Sequence, residues 1–144
     1  MTASDSTTSS DDSPLRLGDL QLAILRVLWR EGEATVVHVH EVISATRGGS
    51  ASTIATMLSK MEARGLVAHR KNGRQFVWCA LVAEDHARRS MVRDVTTRMF
   101  GGDPIELLNH LVSESEIDKD DLDALRALIE RRASGEGSAP GGAA

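Results

Sequence analysis

The sequence predicts a mostly α fold with one small β-hairpin. Apolar residues recur at helical spacing over most of the chain, and Asn72–Gly73 lies between two short apolar runs, "LVAHR" and "QFVWCAL". An Asn-Gly pair between such runs is the strongest short-range signal for a hairpin. Three short helical patterns precede the hairpin, and only helical patterns follow it. This order is typical of a winged helix-turn-helix followed by a helical region.

The first two helices are predicted from their apolar stripes and end signals. Residues 18–30 carry an apolar stripe, and Asp19 in the first turn suits the helix dipole. Thr35 can cap a second helix, which the Gly48–Gly49 pair ends. The alternation of valine and histidine after Thr35 would also suit a strand. Because the valines also follow helical spacing, a helix is favoured.

The third helix, predicted over 51–64 between a Ser50 cap and a Gly65 stop, has an unusual exposed side. Its apolar residues recur at i, i+3, i+4 and i+7, which predicts one buried stripe. The candidate DNA contacts on its other side are Ser52, Thr53, Thr56 and Lys60, with Ser50 at the start. Short hydroxyl side chains let a helix approach the major groove closely and donate to phosphates or base edges. A Ser/Thr-rich solvent face without function is the alternative.

The predicted hairpin adds basic charge next to that helix. Its tip, "RKNGR", contains Arg70, Lys71 and Arg74, which could neutralise phosphates along the neighbouring groove. The whole chain has a formal charge of −4, but the only acidic residue between positions 50 and 80 is Glu62. The basic charge is therefore local to the third helix and to a wing at 67–80. This distribution favours double-stranded DNA as a partner.

Beyond residue 83 the pattern is wholly helical. A long helix is predicted over 84–100, a short one starts at Pro104, and a last one is capped by Asp118. Their apolar stripes are too small to fold alone, so we expect a second copy of the chain to cover them. The residues assigned to this dimerisation surface are Val92, Val95, Met99, Leu108, Leu122, Leu125, Leu128 and Ile129.

These patterns divide the chain into four parts. A winged helix at 15–82 is followed by a helical dimerisation region at 83–132. The polar, low-complexity segments at 1–14 and 133–144 are predicted to be disordered tails.

Composition and motifs argue against several other classes of protein. No motif of a catalytic nucleophile, phosphate-binding loop or zinc protease occurs, so neither enzyme activity nor a cofactor is expected. The single cysteine, Cys79, is interpreted as a small core residue. His38 and His40 lie about 200° apart on a helix and could share a metal only on a strand. No leader and no apolar run of membrane-spanning length is present, so we expect a cytoplasmic protein without a membrane partner.

Three segments resemble the penicillinase-repressor (BlaI/MecI/CopY) family: "LGDLQLAILRVLWREGEATVVHVHEVI", "TIATMLSKMEARGLV" and "MFGGDPIELLNHLVSESEIDKDDLDALRALIE". The first two share features with other winged helices. The third is more specific because it matches the family's dimerisation segment. The resemblance extends from Leu17 to Arg132 and implies a homodimeric transcriptional repressor that binds inverted repeats near promoters of resistance genes.

The resemblance also implies particular site residues. By alignment, the reading contacts fall on Ser52, Thr53, Thr56 and Lys60, and family members often have arginine at the last of these positions. Induction in the family can proceed by proteolysis at an Asn–Phe bond, which implies a sensor protease as a further partner. The matching positions in this chain are Asn109 and His110. The copper-responsive branch has a C-terminal cysteine cluster that this chain lacks, so copper sensing is not expected.

The rival interpretation is a winged helix used only for protein–protein contact. Residues 83–144 contain thirteen acidic and eight basic side chains, and this acidic half would be the docking surface. Retention of duplex DNA with a steep salt dependence would favour the repressor over this rival.

Overall fold

The computed structural model of the chain describes residues 15–135, which form six helices and three short strands. In chain order these are α1 (Asp19–Glu31), β1 (Ala34–Thr35), α2 (Val36–Ser44), α3 (Ala51–Ala63), β2 (Val67–Asn72), β3 (Gln75–Ala80), α4 (Glu84–Phe100), α5 (Pro104–Glu114) and α6 (Lys119–Ala133). The predicted disordered tails concern residues outside this range, apart from 133–135 at the end of α6 and the turn after it. The mostly α fold with a hairpin is confirmed.

The described residues fall into two compact units that divide between Arg98 and Met99, within the last turn of α4. In the first unit, the apolar stripes of α1 and α3 form the centre of the core. Ile24, Leu28, Leu58 and Met61 belong to one cluster, and each is at most 1% exposed. These positions follow the predicted helical spacing. Truncating such a side chain to alanine costs about 2–5 kcal/mol, so this cluster fixes how α3 is presented.

The segment after Thr35 is a helix, as predicted, and Thr35 caps it by accepting a hydrogen bond from the His38 backbone N–H at 3.2 Å. The sequence did not indicate the strand just before it. Ala34 and Thr35 pair with Trp78 and Val77 of β3, so the sheet has three antiparallel strands in the order β1-β3-β2. A strand of two residues is too short to show an alternating pattern.

The hairpin is confirmed, but its turn lies one residue later than predicted. Asn72 pairs with Gln75, so Gly73 and Arg74 are the two central residues of the turn. Gly73 has a φ of 68°, and among residues 15–135 no non-glycine residue has a positive φ. This matches the type II′ pattern, which has glycine first, and not the type I′ pattern expected for Asn-Gly. The shift places Arg74 at the tip of the wing.

The first half of α4 is bonded to the rest of the first unit. Ala87 is buried, and the Leu15 backbone N–H donates to Ser90 Oγ at 2.9 Å. Just before the helix, the Val82 carbonyl accepts a hydrogen bond of 2.8 Å from Trp29 Nε1. Part of the segment predicted to serve dimerisation therefore also completes the first unit.

The second unit contains α5 and α6, which begin where the sequence predicted. The Asp103 side chain accepts from the Ile105 backbone N–H at 2.9 Å, and Pro104 occupies the first helical turn. Asp118 caps α6 by accepting from the Asp121 backbone N–H, also at 2.9 Å. Neither helix contains a buried residue.

Candidate nucleic-acid interface

The candidate reading helix is α3, and its two sides differ as the sequence predicted. Ile54, Leu58 and Met61 are buried against α1 and α2, whereas the hydroxyl and basic residues of the other side are exposed: Ser52, Thr53, Thr56 and Lys60. A helix whose apolar side is packed in the core and whose other side presents short polar side chains can enter a DNA groove without rearrangement.

Ser50 is the N-cap of this helix, and its side chain already forms hydrogen bonds within the first turn. Its Oγ accepts a hydrogen bond from the Thr53 backbone N–H at 3.2 Å. The same atom lies 3.0 Å from both Ser52 Oγ and Thr53 Oγ1. Thr56 and Lys60 take part in no side-chain hydrogen bond among the described residues, so their polar groups are available to a ligand.

The end of the reading helix is fixed by Arg64, a residue that the sequence did not single out. Its Nη2 donates to the Arg16 carbonyl at 2.9 Å, and its Nη1 donates to Gln21 Oε1 at 3.4 Å. The end of α3 is therefore bonded to the segment that leads into α1. The partners lie more than 40 residues apart in the sequence, so no local pattern pointed to them.

The wing carries Arg70, Lys71 and Arg74, all exposed, but Arg70 differs from the other two. Its Nε and Nη2 donate to the two carboxylate oxygens of Glu33 at 3.0 and 2.8 Å. The hydrogen bond from Arg70 holds the pKa of the Glu33 carboxyl below its usual range, and Glu33 raises the pKa of Arg70. Glu33 is a second residue of the site that the sequence did not point to. It lies one residue before β1, the strand that was also missed.

A histidine connects the wing to the reading helix. His69 Nδ1 on β2 lies 2.8 Å from Glu62 Oε2 in the last turn of α3. The His69 ring also packs on Phe76 and Trp78 of β3, with centroid distances of 4.6 and 4.8 Å. Trp78 is 4% exposed, and its Nε1 has no hydrogen-bond partner within the described part of the chain. Wing and reading helix are thus joined by side-chain contacts as well as by the chain.

The two histidines weighed as metal ligands contact different partners. His38 Nε2 lies 2.8 Å from a carboxylate oxygen of Glu31, at the end of α1. His40 Nε2 lies 2.9 Å from the Gly49 carbonyl oxygen, just before the reading helix. Across residues 15–135, no three histidine, cysteine or carboxylate side chains are grouped so that they could hold a metal ion.

The residues assigned to dimerisation are mostly exposed in the single chain. Seven of the eight have relative exposures between 42% and 73%, and Leu125 is half-buried. On α4 the exposed members are Val92, Val95 and Met99. Large apolar side chains that are exposed in this way, on α4 in the first unit and on α5 and α6 in the second, are typical of surfaces that other molecules cover.

Asn109 and His110, the positions matched to a cleavage site, lie in the middle of α5 and are exposed. The His110 ring packs on Phe100 at a centroid distance of 5.6 Å. The bond between them is therefore held in helical conformation.

Between residues 15 and 135, no helix is both long and apolar enough to cross a membrane.

Comparison with known proteins identifies the family. The chain matches the family model described as "Penicillinase repressor" over residues 17–131. It is 29% identical over 127 residues to the transcriptional regulator BlaI of Mycobacterium tuberculosis, covering 87% of this chain and 91% of that protein. It is 18% identical over 122 residues to the methicillin resistance regulatory protein MecI of Mammaliicoccus sciuri, covering 85% of this chain and 99% of that protein.

A solved structure is similar over about half of the chain. It is the solution structure of monomeric BlaI from Bacillus licheniformis in complex with the blaP half-operator, with 28% identity and a TM-score of 0.45. The match covers 51% of this chain and 90% of that one. Because the family model spans residues 17–131, far more than half of the sequence, this chain belongs to the penicillinase repressor family of DNA-binding transcriptional repressors and is not an enzyme.

Proposed function

We propose that this protein is a homodimeric repressor that reads inverted-repeat operators in double-stranded DNA. In this proposal residues 15–82 bind DNA and residues 83–132 dimerise. The reading contacts are Ser52, Thr53, Thr56 and Lys60, with Ser50 acting mainly as the cap that orients the first turn of α3. As a DNA-binding protein it would act in the cytoplasm, where its operator lies.

The observation that carries this proposal is the contrast between the two sides of α3. Its apolar side is buried in the core, and its hydroxyl side is exposed with Thr56 and Lys60 unengaged among the described residues. Lys71 and Arg74 on the wing supply sequence-independent attraction to phosphates. The threonine methyl and hydroxyl groups supply contacts that differ from base to base.

The exposed apolar stripes of α4, α5 and α6 support the homodimer. A dimer with a two-fold axis places two copies of α3 in related orientations, so its preferred site is an inverted repeat. Two linked readers gain affinity because the second one binds at a high effective concentration. The relatives named for penicillinase and methicillin resistance suggest that the regulated genes concern antibiotic resistance.

We further propose that a sensor protease releases the repressor by cutting between Asn109 and His110. The cut separates α6 from α4 in the sequence and removes a large share of the exposed apolar surface available to the dimer. A protease binds an extended chain, whereas this bond lies within α5, so the helix must first open locally.

The proposed function is tested by fluorescence anisotropy with duplexes from the region upstream of the chain's own gene. We expect one inverted repeat to bind much more tightly than a scrambled duplex of equal length. The logarithm of the affinity should fall linearly with the logarithm of the salt concentration. Equal affinity for every duplex, or no binding to any duplex at low salt, would contradict the proposal. Sedimentation of the full chain at micromolar concentration tests the dimer separately, and a monomer there would exclude it.

A further inference from the structure

The turn between α2 and α3 has few hydrogen bonds at the place where the reading helix begins. Backbone bonds to the last turn of α2 extend as far as Gly48. The hydrogen bonds of α3 begin at Ser50, its cap. Between these two sets, the described chain supplies the contact of 2.9 Å between His40 Nε2 and the Gly49 carbonyl oxygen.

Packing does not hold this turn. Gly48 and Gly49 have φ angles of 73° and 102°, and a Cβ atom at either position would meet no atom within 4 Å. Residues 45–50 are all exposed. Glycine has more backbone freedom to lose than any other residue, so a two-glycine turn in open space depends on hydrogen bonds for its geometry.

The other end of this contact is firmly placed. His40 lies on α2 next to Val39, which is fully buried, and three residues before Ile43, which is 4% exposed. Its side chain is half-buried and reaches nine residues along the chain to Gly49. A carbonyl oxygen can only accept, so Nε2 must carry the proton. Both the Nε2–H tautomer and the imidazolium form can donate in this way.

We infer that His40 is a positioning residue for DNA reading. Its imidazole ties the Gly49 carbonyl to the core-anchored helix α2 and so sets the direction in which α3 starts. The His40 side chain hydrogen-bonds the Gly49 carbonyl and none of the reading side chains, so in this inference it acts through the turn. This inference rests on the proposed function, because it matters only if α3 is the reading helix.

Three variants test this role. His40→Phe keeps a ring of similar size but removes the donor, whereas His40→Gln keeps an N–H donor. His38→Phe is the matched control, because His38 lies on the same helix but contacts Glu31 instead of the turn. Operator affinity is measured by fluorescence anisotropy. His40→Phe should weaken it by about five- to tenfold, as expected for one lost hydrogen bond. Random duplex should change by less than about twofold, His40→Gln should recover most of the loss, and His38→Phe should match the wild type.

Hydrogen exchange in the free protein gives a readout that does not depend on DNA. The amides of Gly48, Thr53 and Ile54 should exchange faster in His40→Phe than in the wild type, with α1 unchanged. Unchanged exchange at these amides would overturn the inference, and so would an equal rise in α1, which indicates general destabilisation. A wild type that binds operator and random duplex equally would defeat the proposed function, while the exchange data would still decide whether His40 holds the turn.

Discussion

Arg70 and Glu33 form an exposed bidentate pair that joins the wing to the residue before β1, with N···O distances of 3.0 and 2.8 Å. Arg70 was predicted to be a phosphate contact, yet in the free chain its charge is already compensated. Glu33 has its pKa lowered by the hydrogen bond from Arg70, so it stays ionised at neutral pH. The pair is lost only as the pH falls through the lowered pKa of Glu33, which lies below the ordinary glutamate pKa of about 4.3.

The first prediction is that Glu33→Gln strengthens DNA binding. Removing the carboxylate leaves Arg70 free to contact a phosphate, so affinity for both operator and random duplex should rise by about three- to tenfold. The slope of log affinity against log salt should steepen by about one. Because Glu33 is already ionised, the gain should be the same at pH 6 and at pH 8. The melting temperature should change little, since exposed ion pairs contribute little to stability.

The control for this prediction is Glu41→Gln, which removes the same charge from an exposed position on α2. It should leave the salt slope unchanged. Weaker binding by Glu33→Gln would instead mean that the carboxylate holds Arg70 in the orientation in which it contacts DNA.

The second prediction concerns Thr56. Thr56→Ala should weaken binding to the operator by about tenfold and binding to random duplex by less than about twofold. The reason is that a lost base contact costs about 1–3 kcal/mol of discrimination between sequences. Thr56→Ser separates the hydroxyl from the methyl group. Thr97→Ala, at an exposed position on α4, is the control. If Thr56→Ala leaves the ratio of the two affinities unchanged, the reading side of α3 has been assigned incorrectly.

The third prediction concerns a truncation that keeps residues 15–98, the described part of the first compact unit. The fragment should remain folded, because the contacts of Leu15 with Ser90 and of Trp29 with Val82 are retained. It should sediment as a monomer and bind the full operator about a hundredfold more weakly than the intact chain. Its affinity for a single half-site should equal that of the full chain. A fragment that still dimerises would show that Met99 and the residues beyond it are not required for dimerisation.

The fourth prediction concerns cleavage in α5. With a protease recognition sequence inserted after Asn109, the cut protein should become monomeric and lose tight operator binding, while the first unit keeps its melting transition. The same sequence inserted after Gly135, which follows α6, should be cut without effect on binding. Cutting after Asn109 should be slow, because α5 must unwind before the protease can bind. Unchanged affinity after the Asn109 cut would exclude release by cleavage for this chain.

The helices and their starts could be predicted because the signals are local. Thr35, Ser50 and Asp118 each accept a hydrogen bond from a backbone N–H three residues later, and each was recognisable from its residue type and position. The buried stripes followed the helical period for the same reason. The position of the hairpin turn was predicted one residue too early, because Asn72 and Gly73 allow more than one register, and the pairing of whole strands decides between them.

The contacts that modify the site could not be predicted in this way. Arg70 and Glu33 are 37 residues apart, and Arg64 reaches the Arg16 carbonyl across 48 residues. Nothing in the residue types distinguished Arg70 from Lys71, although one is paired and the other is not among the described residues. The sequence therefore predicts which surface is basic, and the fold decides which of its charges are free.

The two tryptophans of the chain lie in different surroundings. Trp29 is half-buried, and its indole N–H donates to the Val82 carbonyl just before α4. Trp78 is part of the wing, where it is buried on β3 and packs against the His69 ring. Indole fluorescence responds to hydrogen bonding and to neighbouring polar groups, so Trp29→Phe and Trp78→Phe variants would each retain a single intrinsic probe. Trp78, retained in Trp29→Phe, would report contact of the wing with DNA. Trp29, retained in Trp78→Phe, would report detachment of α4. Both could be followed in solution and without an added dye.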